Sequence, residues 1–194
     1  ELVEHALREA DASGRLGKEE REASLVEAIR QANAKVFEIA SLREHYRGMG
    51  TTVTVALADE HSVLIGHIGD SRAYYINHEQ FTQITEDHTL VNELVKTGQL
   101  TPDEAAHHPR RNVVTRALGT QPDVAVDVSH MAWSPGDMLM LCSDGLTNMV
   151  PPEVMIRLLR SEESLETKSE RLVEYALAAG GDDNITVVLI ANES

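Results

Sequence analysis

Met138-Leu139-Met140-Leu141-Cys142-Ser143-Asp144-Gly145 is a five-residue apolar run that ends on a serine, a carboxylate and a glycine, with Ser134-Pro135-Gly136-Asp137 as the turn before it. So short an apolar run, bounded by turn residues, has the pattern of a strand buried on both faces. An acid at its end is positioned by a rigid element rather than by a loose loop. Two further runs share the pattern. Val63-Leu64-Ile65-Gly66-His67-Ile68 gives way to Gly69-Asp70-Ser71-Arg72, and Gly180-Gly181-Asp182-Asp183-Asn184 opens into Ile185-Thr186-Val187-Val188-Leu189-Ile190. Taken singly, an Asp beside Gly after a strand is an ordinary turn residue. Asp70, Asp144 and Asp183 in one shared context point instead to an oxygen-ligand site for Mg²⁺ or Mn²⁺, ions that bind through few carboxylates.

Bulk properties narrow the class. A chain of 194 residues suits a single domain, long enough to bury roughly 70% of its unfolded surface. Its 32 acids against 17 bases give a net charge of −15, which argues against a nucleic-acid or anionic-membrane surface. Cys142 is the only cysteine, so an internal disulfide framework is excluded and a reducing, cytoplasmic compartment is expected. There is no apolar run of the ~18 residues a membrane span needs, so no membrane insertion is expected. The chain opens on Glu1 rather than Met, and upstream sequence is expected to be missing.

Apolar spacing predicts a helix over residues 1 to 12, a break at Ser13-Gly14-Arg15-Leu16-Gly17, and a long helix to about residue 46. Its apolar stripe is Leu25, Ala28, Ile29, Ala32, Val36, Ile39, Ala40 and Leu42. The two helices are expected to pair antiparallel on a sheet. After Gly50 the period becomes two. Strands are predicted at Thr51–Ala58, His61–Ile68, Arg72–Ile76 and Phe81–Ile84, as one antiparallel meander with turns at Asp59-Glu60 and Asn77-His78. Thr85-Glu86-Asp87-His88 reads as the cap of a helix ended by Gly98, and Thr101-Pro102 opens another. This polar segment, which includes His107, His108, Arg110 and Arg111, is a candidate mobile flap. Strands return at Val124–Val128 and Met138–Cys142. Helices follow over Pro151–Leu159 and Glu166–Ala179, before the closing strand. The pattern predicts an α+β fold, two stacked antiparallel sheets (a β-sandwich) flanked by helices on both sides.

Other chemistries fit poorly. The nine histidines form no zinc spacing. Cys142 lies inside a strand, where a free cysteine is usually a small hydrophobe. There is no Gly-x-Ser-x-Gly elbow, and Gly14-Arg15-Leu16-Gly17-Lys18-Glu19 lacks the glycine placement and hydroxyl of a phosphate loop. Water activated by a metal ion is what remains, with no side chain as nucleophile.

Gly50-Thr51-Thr52, Ile68-Gly69-Asp70-Ser71-Arg72-Ala73-Tyr74, Thr85-Glu86-Asp87-His88, Thr115-Arg116-Ala117-Leu118-Gly119, Cys142-Ser143-Asp144-Gly145-Leu146-Thr147 and Gly180-Gly181-Asp182-Asp183-Asn184-Ile185-Thr186 occur in the order seen in type 2C metal-dependent protein phosphatases, the PPM family. The chain resembles the small bacterial members that oppose serine/threonine kinases. The resemblance implies a β-sandwich between helical layers and hydrolysis of phosphoserine and phosphothreonine in proteins at a Mn²⁺ or Mg²⁺ centre of two, in some members three, ions. It implies Asp144 and Asp183 as ligands of the first metal and Asp70, with Asp144, as a ligand of a third. Asn184 and Gly145 would support Asp183 and Asp144, and residues of about 92–118 would form the flap beside the site. Implied partners are phosphorylated proteins and a cognate kinase, with the chain itself a monomer.

The chain departs from the family pattern at its start. The phosphate-binding Arg and the Asp-Gly-x-Gly-Gly turn that precede the first long helix in the family do not occur, and Glu1–Leu7 resembles the helix after that turn. On this resemblance, residues 1–194 form one catalytic domain without its N-terminal part, holding fewer metals and turning over slowly, with a non-catalytic binding or regulatory module as the alternative.

Overall fold

Turn chemistry decides where strands begin and end. In a computed structural model that describes residues 2–10 and 17–193, β1 (Val53–Ala58) turns into β2 (Ser62–Ile68) where Asp59 Oδ1 accepts the N–H groups of His61 and Ser62 at 2.9 and 2.8 Å. β3 (Arg72–Ile76) turns into β4 (Phe81–Gln83) where Asn77 Oδ1 accepts those of Glu79 and Gln80 at 2.9 and 2.7 Å. Both are Asx turns, as expected of these residues.

The expected single meander is corrected. β1 and β2 belong to a three-stranded sheet of order β1-β2-β5, with β5 at Asp127–Ala132, whereas β3 and β4 belong to a four-stranded sheet of order β4-β3-β6-β7. β6 is Met138–Cys142 and β7 is Val187–Ala191. The change of sheet falls at Gly69-Asp70-Ser71. Gly69 has φ +116°, and a Cβ there would stand 2.3 Å from the Thr52 side chain, so only glycine makes this exit cheaply. The architecture is α+β with two antiparallel sheets.

The described residues form two compact units. One takes the described part of 1–57 together with 64–69 and 88–130. Here α1 (Leu2–Ala10) and α2 (Lys18–Leu42) lay Val3, Leu7, Leu25 and Ile29 against Val53, Val55, Leu64, Ile68 and Leu118. α2 ends before residue 46, and Leu42 is 74% exposed rather than part of the buried stripe. A single 3₁₀ turn follows at Glu44–Tyr46. The predicted break at residues 13–16 lies outside the described residues. Asn33, unremarked in the sequence, is buried; its side chain donates to the carbonyls of Gln121 and Pro122 and accepts the Gly119 N–H at 2.8 Å.

The same unit carries the expected flap, and two short capped helices form part of it. α3 (Leu90–Lys96) is capped by Thr89, not by residues 85–88, and ends at Gly98 with φ +71°. α4 (Pro102–Ala106) has a reciprocal Thr101/Glu104 capping box, so each satisfies an otherwise orphaned donor. β5 begins three residues later than the predicted strand, while Val124 and Val126 still pack into the core.

The second unit takes 58–63, 70–87 and the described part of 131–194. α6 (Pro152–Leu159) and α7 (Leu165–Ala178) cover one face of the four-stranded sheet through Tyr74, Ile76, Met140, Cys142, Met155, Leu159 and Leu172. β6 is the buried central strand that its sequence predicts. β7 is not its equal: it lies at the sheet edge, starts at Val187 rather than Ile185, and leaves Val188 48% exposed. Among the described residues no helix is long and apolar enough to cross a membrane.

Candidate metal centre

Strand register places the acids. β3 and β6 run antiparallel with Arg72 opposite Cys142 as the terminal pair. Asp70 stands two residues before Arg72 and Asp144 two residues after Cys142, so both acids lie just beyond the same end of the β3–β6 pair. On the other side of β6, Cys142 faces Val187, and extending that ladder sets Asn184 opposite Gly145 and Asp183 opposite Leu146. The main chain bears this out. Ser143 N–H donates to Thr186 O at 3.1 Å, Ser143 Oγ donates to Asn184 O at 2.9 Å, and Thr186 N–H donates to Ser143 Oγ at 3.0 Å. A Cβ on Gly145 would lie 2.4 Å from Asn184 O and 3.4 Å from the carbonyl carbon of Asp183. All these residues lie in the second unit.

Asp144 opens a four-residue helix, α5 (Asp144–Thr147), that the sequence did not reveal, and Asn148 Nδ2 donates to its Oδ2 at 3.3 Å. Asp70 is held above the ordinary carboxylate range, first by burial and next by the negative charge of Asp144. Its own main-chain N–H opposes this, Asp87 adds to it, and Arg72 opposes it again. A carboxylate that is costly to ionise beside a second carboxylate suits a nearby cation. The donors are all hard oxygens, so the set fits a divalent ion of the Mg²⁺ or Mn²⁺ type.

Asp183 is turned differently. Its Oδ1 accepts the N–H of Asn184 at 2.7 Å, so Asn184 engages it through the main chain. Among the described residues no three His, Cys, Asp or Glu side chains are gathered closely enough to hold an ion as they stand. Register therefore brings the main chain after β6 against the main chain before β7, with Asp70 and Asp144 near enough for the Asp144 charge to act on Asp70.

Other polar pairings in the two units were not legible from the sequence. Arg72 forks onto Asp87, with Nη2 2.6 Å from Oδ2, and its Nη1 donates to the Tyr74 hydroxyl at 3.2 Å. Burial pushes the Arg72 pKa down, and the Asp87 and Tyr74 hydrogen bonds more than restore it, so the net shift is upward. In the first unit, Gly69 N–H donates to His88 Nδ1 at 2.9 Å, which leaves Nε2 to carry the proton donated to Asp127 Oδ2 at 2.9 Å. Arg116 also pairs with Asp127. Cys142 is buried and its thiol is pushed up to about 12, chiefly by desolvation, as an inert strand residue should be.

His107, His108, Arg110 and Arg111 belong to the first unit. His107, Arg110 and Arg111 are exposed. His107 Nδ1 pairs with Asp103 O, and Arg110 N–H donates to His108 Nδ1 at 3.1 Å.

Comparison with known proteins gives the family. The family model described as Protein phosphatase 2C matches residues 1–180. A putative protein phosphatase 2C-type protein of Streptococcus pyogenes is 42% identical over 170 residues, 88% of this chain and 69% of its own length. The serine/threonine phosphatase stp of Listeria monocytogenes is 40% identical over 175 residues, 90% of this chain and 69% of its own. The crystal structure of serine/threonine phosphatase Stp1 from Staphylococcus aureus superposes with TM-score 0.90 at 40% identity, covering 98% of this chain and 75% of that one. The catalytic domain of the phosphatase PstP, solved in complex with two manganese ions, superposes with TM-score 0.80 at 34% identity over 97% of this chain and 77% of its own.

Proposed function

From the premise that the chain belongs to the protein phosphatase 2C family and is a metal-dependent serine/threonine protein phosphatase, we propose that Asp70, Asp144 and Asp183 are its metal-binding carboxylates. The observation that supports this reading is the β3–β6 register, whose last pair, Arg72 and Cys142, stands two residues from Asp70 on one strand and two from Asp144 on the other, with the Asp144 charge acting on Asp70. Asp144 is fixed by β6 and by the first turn of α5. Asp183 rotates off the Asn184 N–H to join the pair. Gly145 lets the Asp183-Asn184 main chain approach, and Ser143 ties it there by two hydrogen bonds.

A divalent cation at such a site lowers the pKa of a water and neutralises charge on phosphoryl oxygens. Mn²⁺ or Mg²⁺ suits the donor set, with two ions, or three, in a complete centre and fewer held by residues 1–194 alone. The exposed Arg110 and Arg111, with His107 and His108, are candidates to meet the phosphoprotein, since a phosphate dianion pairs well with guanidinium groups. Phosphorylated proteins are the substrates, and we assign the chain to the cytoplasm, acting as a monomer opposite a serine/threonine kinase.

Phosphate release from a phosphothreonine peptide tests this. Hydrolysis should require Mn²⁺ or Mg²⁺, stop on EDTA and return with added metal. Asp144→Asn and Asp183→Asn should reduce it to near background; undiminished turnover in either variant sinks the assignment.

A further inference from the structure

The charges behind Asp70 are arranged in a way that metal binding alone does not explain. Arg72 lies at the terminal β3–β6 pair, yet its guanidinium is committed away from the acid pair. Nε donates to both oxygens of Asp87 at 2.9 and 3.0 Å, Nη2 donates to Oδ2 at 2.6 Å, and Nη1 donates to Tyr74 Oη. Gln83 Nε2 donates to Asp87 Oδ1 at 2.9 Å from another side. The strand ladder fixes the segment that carries Asp87, because Ile84 N–H donates to Ala73 O and Ala73 N–H donates to Thr85 Oγ1. Side-chain exposure is 30% for Arg72 and 14% for Asp87, so the pair is shielded from solvent enough for its charges to matter.

Asp70, Asp87 and Asp144 thus share one end of the sheet with a single arginine, whose charge and that of Asp87 both reach Asp70. Tyr74 Oη holds Nη1, and the remaining Nε–Nη2 edge of the guanidinium takes one carboxylate bidentately. Whichever acid fills it is neutralised without a metal.

We propose that Asp87 is a positioning residue that keeps the Arg72 guanidinium off Asp70 and Asp144, so that a divalent cation, and not this arginine, neutralises the acid pair. This rests on the reading of Asp70 and Asp144 as metal carboxylates. Asp87→Asn keeps the shape but removes the charge that holds the fork. Arg72 then stands as an unpaired cation beside the pair and repels or displaces the metal. Arg72→Gln does the opposite, removing the competitor and leaving a third carboxylate nearby. The double variant is neutral at both positions.

The test is Mn²⁺ binding to the full chain by isothermal titration calorimetry, with thermal unfolding as the check on folding. Asp87→Asn should weaken Mn²⁺ binding about tenfold, a change of about 1.4 kcal/mol. Arg72→Gln should bind at least as tightly as wild type, and the double variant should return to within about threefold of it. An ion pair that only supports the fold weakens binding in both single variants and the double, and that result overturns the proposal, as does wild-type affinity in Asp87→Asn. If Arg72→Gln does not fold, Arg72→Met preserves the stem, and the comparison of Asp87→Asn with its double decides. Asp144→Asn separates the two readings. Wild-type Mn²⁺ affinity in that variant removes the metal site and this inference together, whereas lost affinity there with none lost in Asp87→Asn removes this inference alone.

Discussion

Replacing Gly145 by alanine sets two effects of opposite sign against each other. Residue 145 lies within α5, where alanine is intrinsically better than glycine by about 0.8–1.0 kcal/mol. The new Cβ, however, would stand 2.4 Å from Asn184 O and 3.0 Å from its carbonyl carbon. Non-bonded carbon contacts settle at about 3.5–4.0 Å, so the two segments must part by about 1 Å. Both obstacles are main chain and no rotamer relieves them. Overpacking of this kind costs about 1–3 kcal/mol. The three hydrogen bonds joining Ser143 to Asn184 and Thr186 stretch with it, each worth about 1 kcal/mol. The clash therefore wins, with a net loss of about 1–4 kcal/mol in urea unfolding. Function should suffer more than stability, because Asp183 moves with the main chain and a misplacement of about 1 Å costs about 10²-fold in rate. Release of phosphate from a phosphothreonine peptide with Mn²⁺, measured at 25 °C where the variant is still folded, separates the two effects. A Gly145→Ala protein with wild-type unfolding free energy and activity within twofold would refute the argument that this approach must stay closed.

Three further outcomes follow from the same geometry. Asp70 has a raised carboxyl pKa, so its contribution to the metal-free fold is most favourable below its unfolded value and is lost as pH rises through the folded one; Asp70→Asn should raise the unfolding midpoint in EDTA at pH 7 and diminish the extra stabilisation by Mn²⁺, and a lowered midpoint in EDTA would contradict this. Asn33→Ala removes three hydrogen bonds at a buried position and should cost about 2–4 kcal/mol in chemical denaturation; a loss under about 1 kcal/mol would mean that this side chain does not fix the loop at residues 119–122. Burial pushes the Asp127 carboxyl up, but the hydrogen bonds from His88 and Arg116 prevail and its pKa is lowered. That stability is present above the unfolded value and is lost as pH falls through the folded one, so the advantage of wild type over Asp127→Asn in thermal melts should shrink below about pH 4, and a difference constant with pH would show that His88 and Arg116 do not act through this charge.

Local chemistry and long-range pairing divide what the sequence discloses. Asp59 and Asn77 turn the chain through hydrogen bonds to N–H groups two and three residues on, so their turns are legible in the residues themselves. Thr101 and Glu104 cap a helix on the same terms. Asp87 misleads for the same reason: Thr85-Glu86-Asp87-His88 has the composition of a helix cap, but the partner of Asp87 is Arg72, 15 residues away, and no short-range pattern announces it. Asn33, which meets Gly119 from 86 residues away, is silent in sequence for that reason too. The acids fall between these cases. Each Asp-Gly context is a local signal, yet what brings Asp70 to Asp144 is the pairing of β3 with β6. The meander that the sequence suggests would pair β3 with β2 and leave Asp70 at the tip of a hairpin. A strand slipped by one residue presents its side chains to the opposite face, so any register other than Arg72 opposite Cys142 would part the two carboxylates. The proposed metal centre thus depends on a choice of strand partner supported by the burial of Tyr74, Ile76, Met140 and Cys142 in one core, residues outside the proposed carboxylate set.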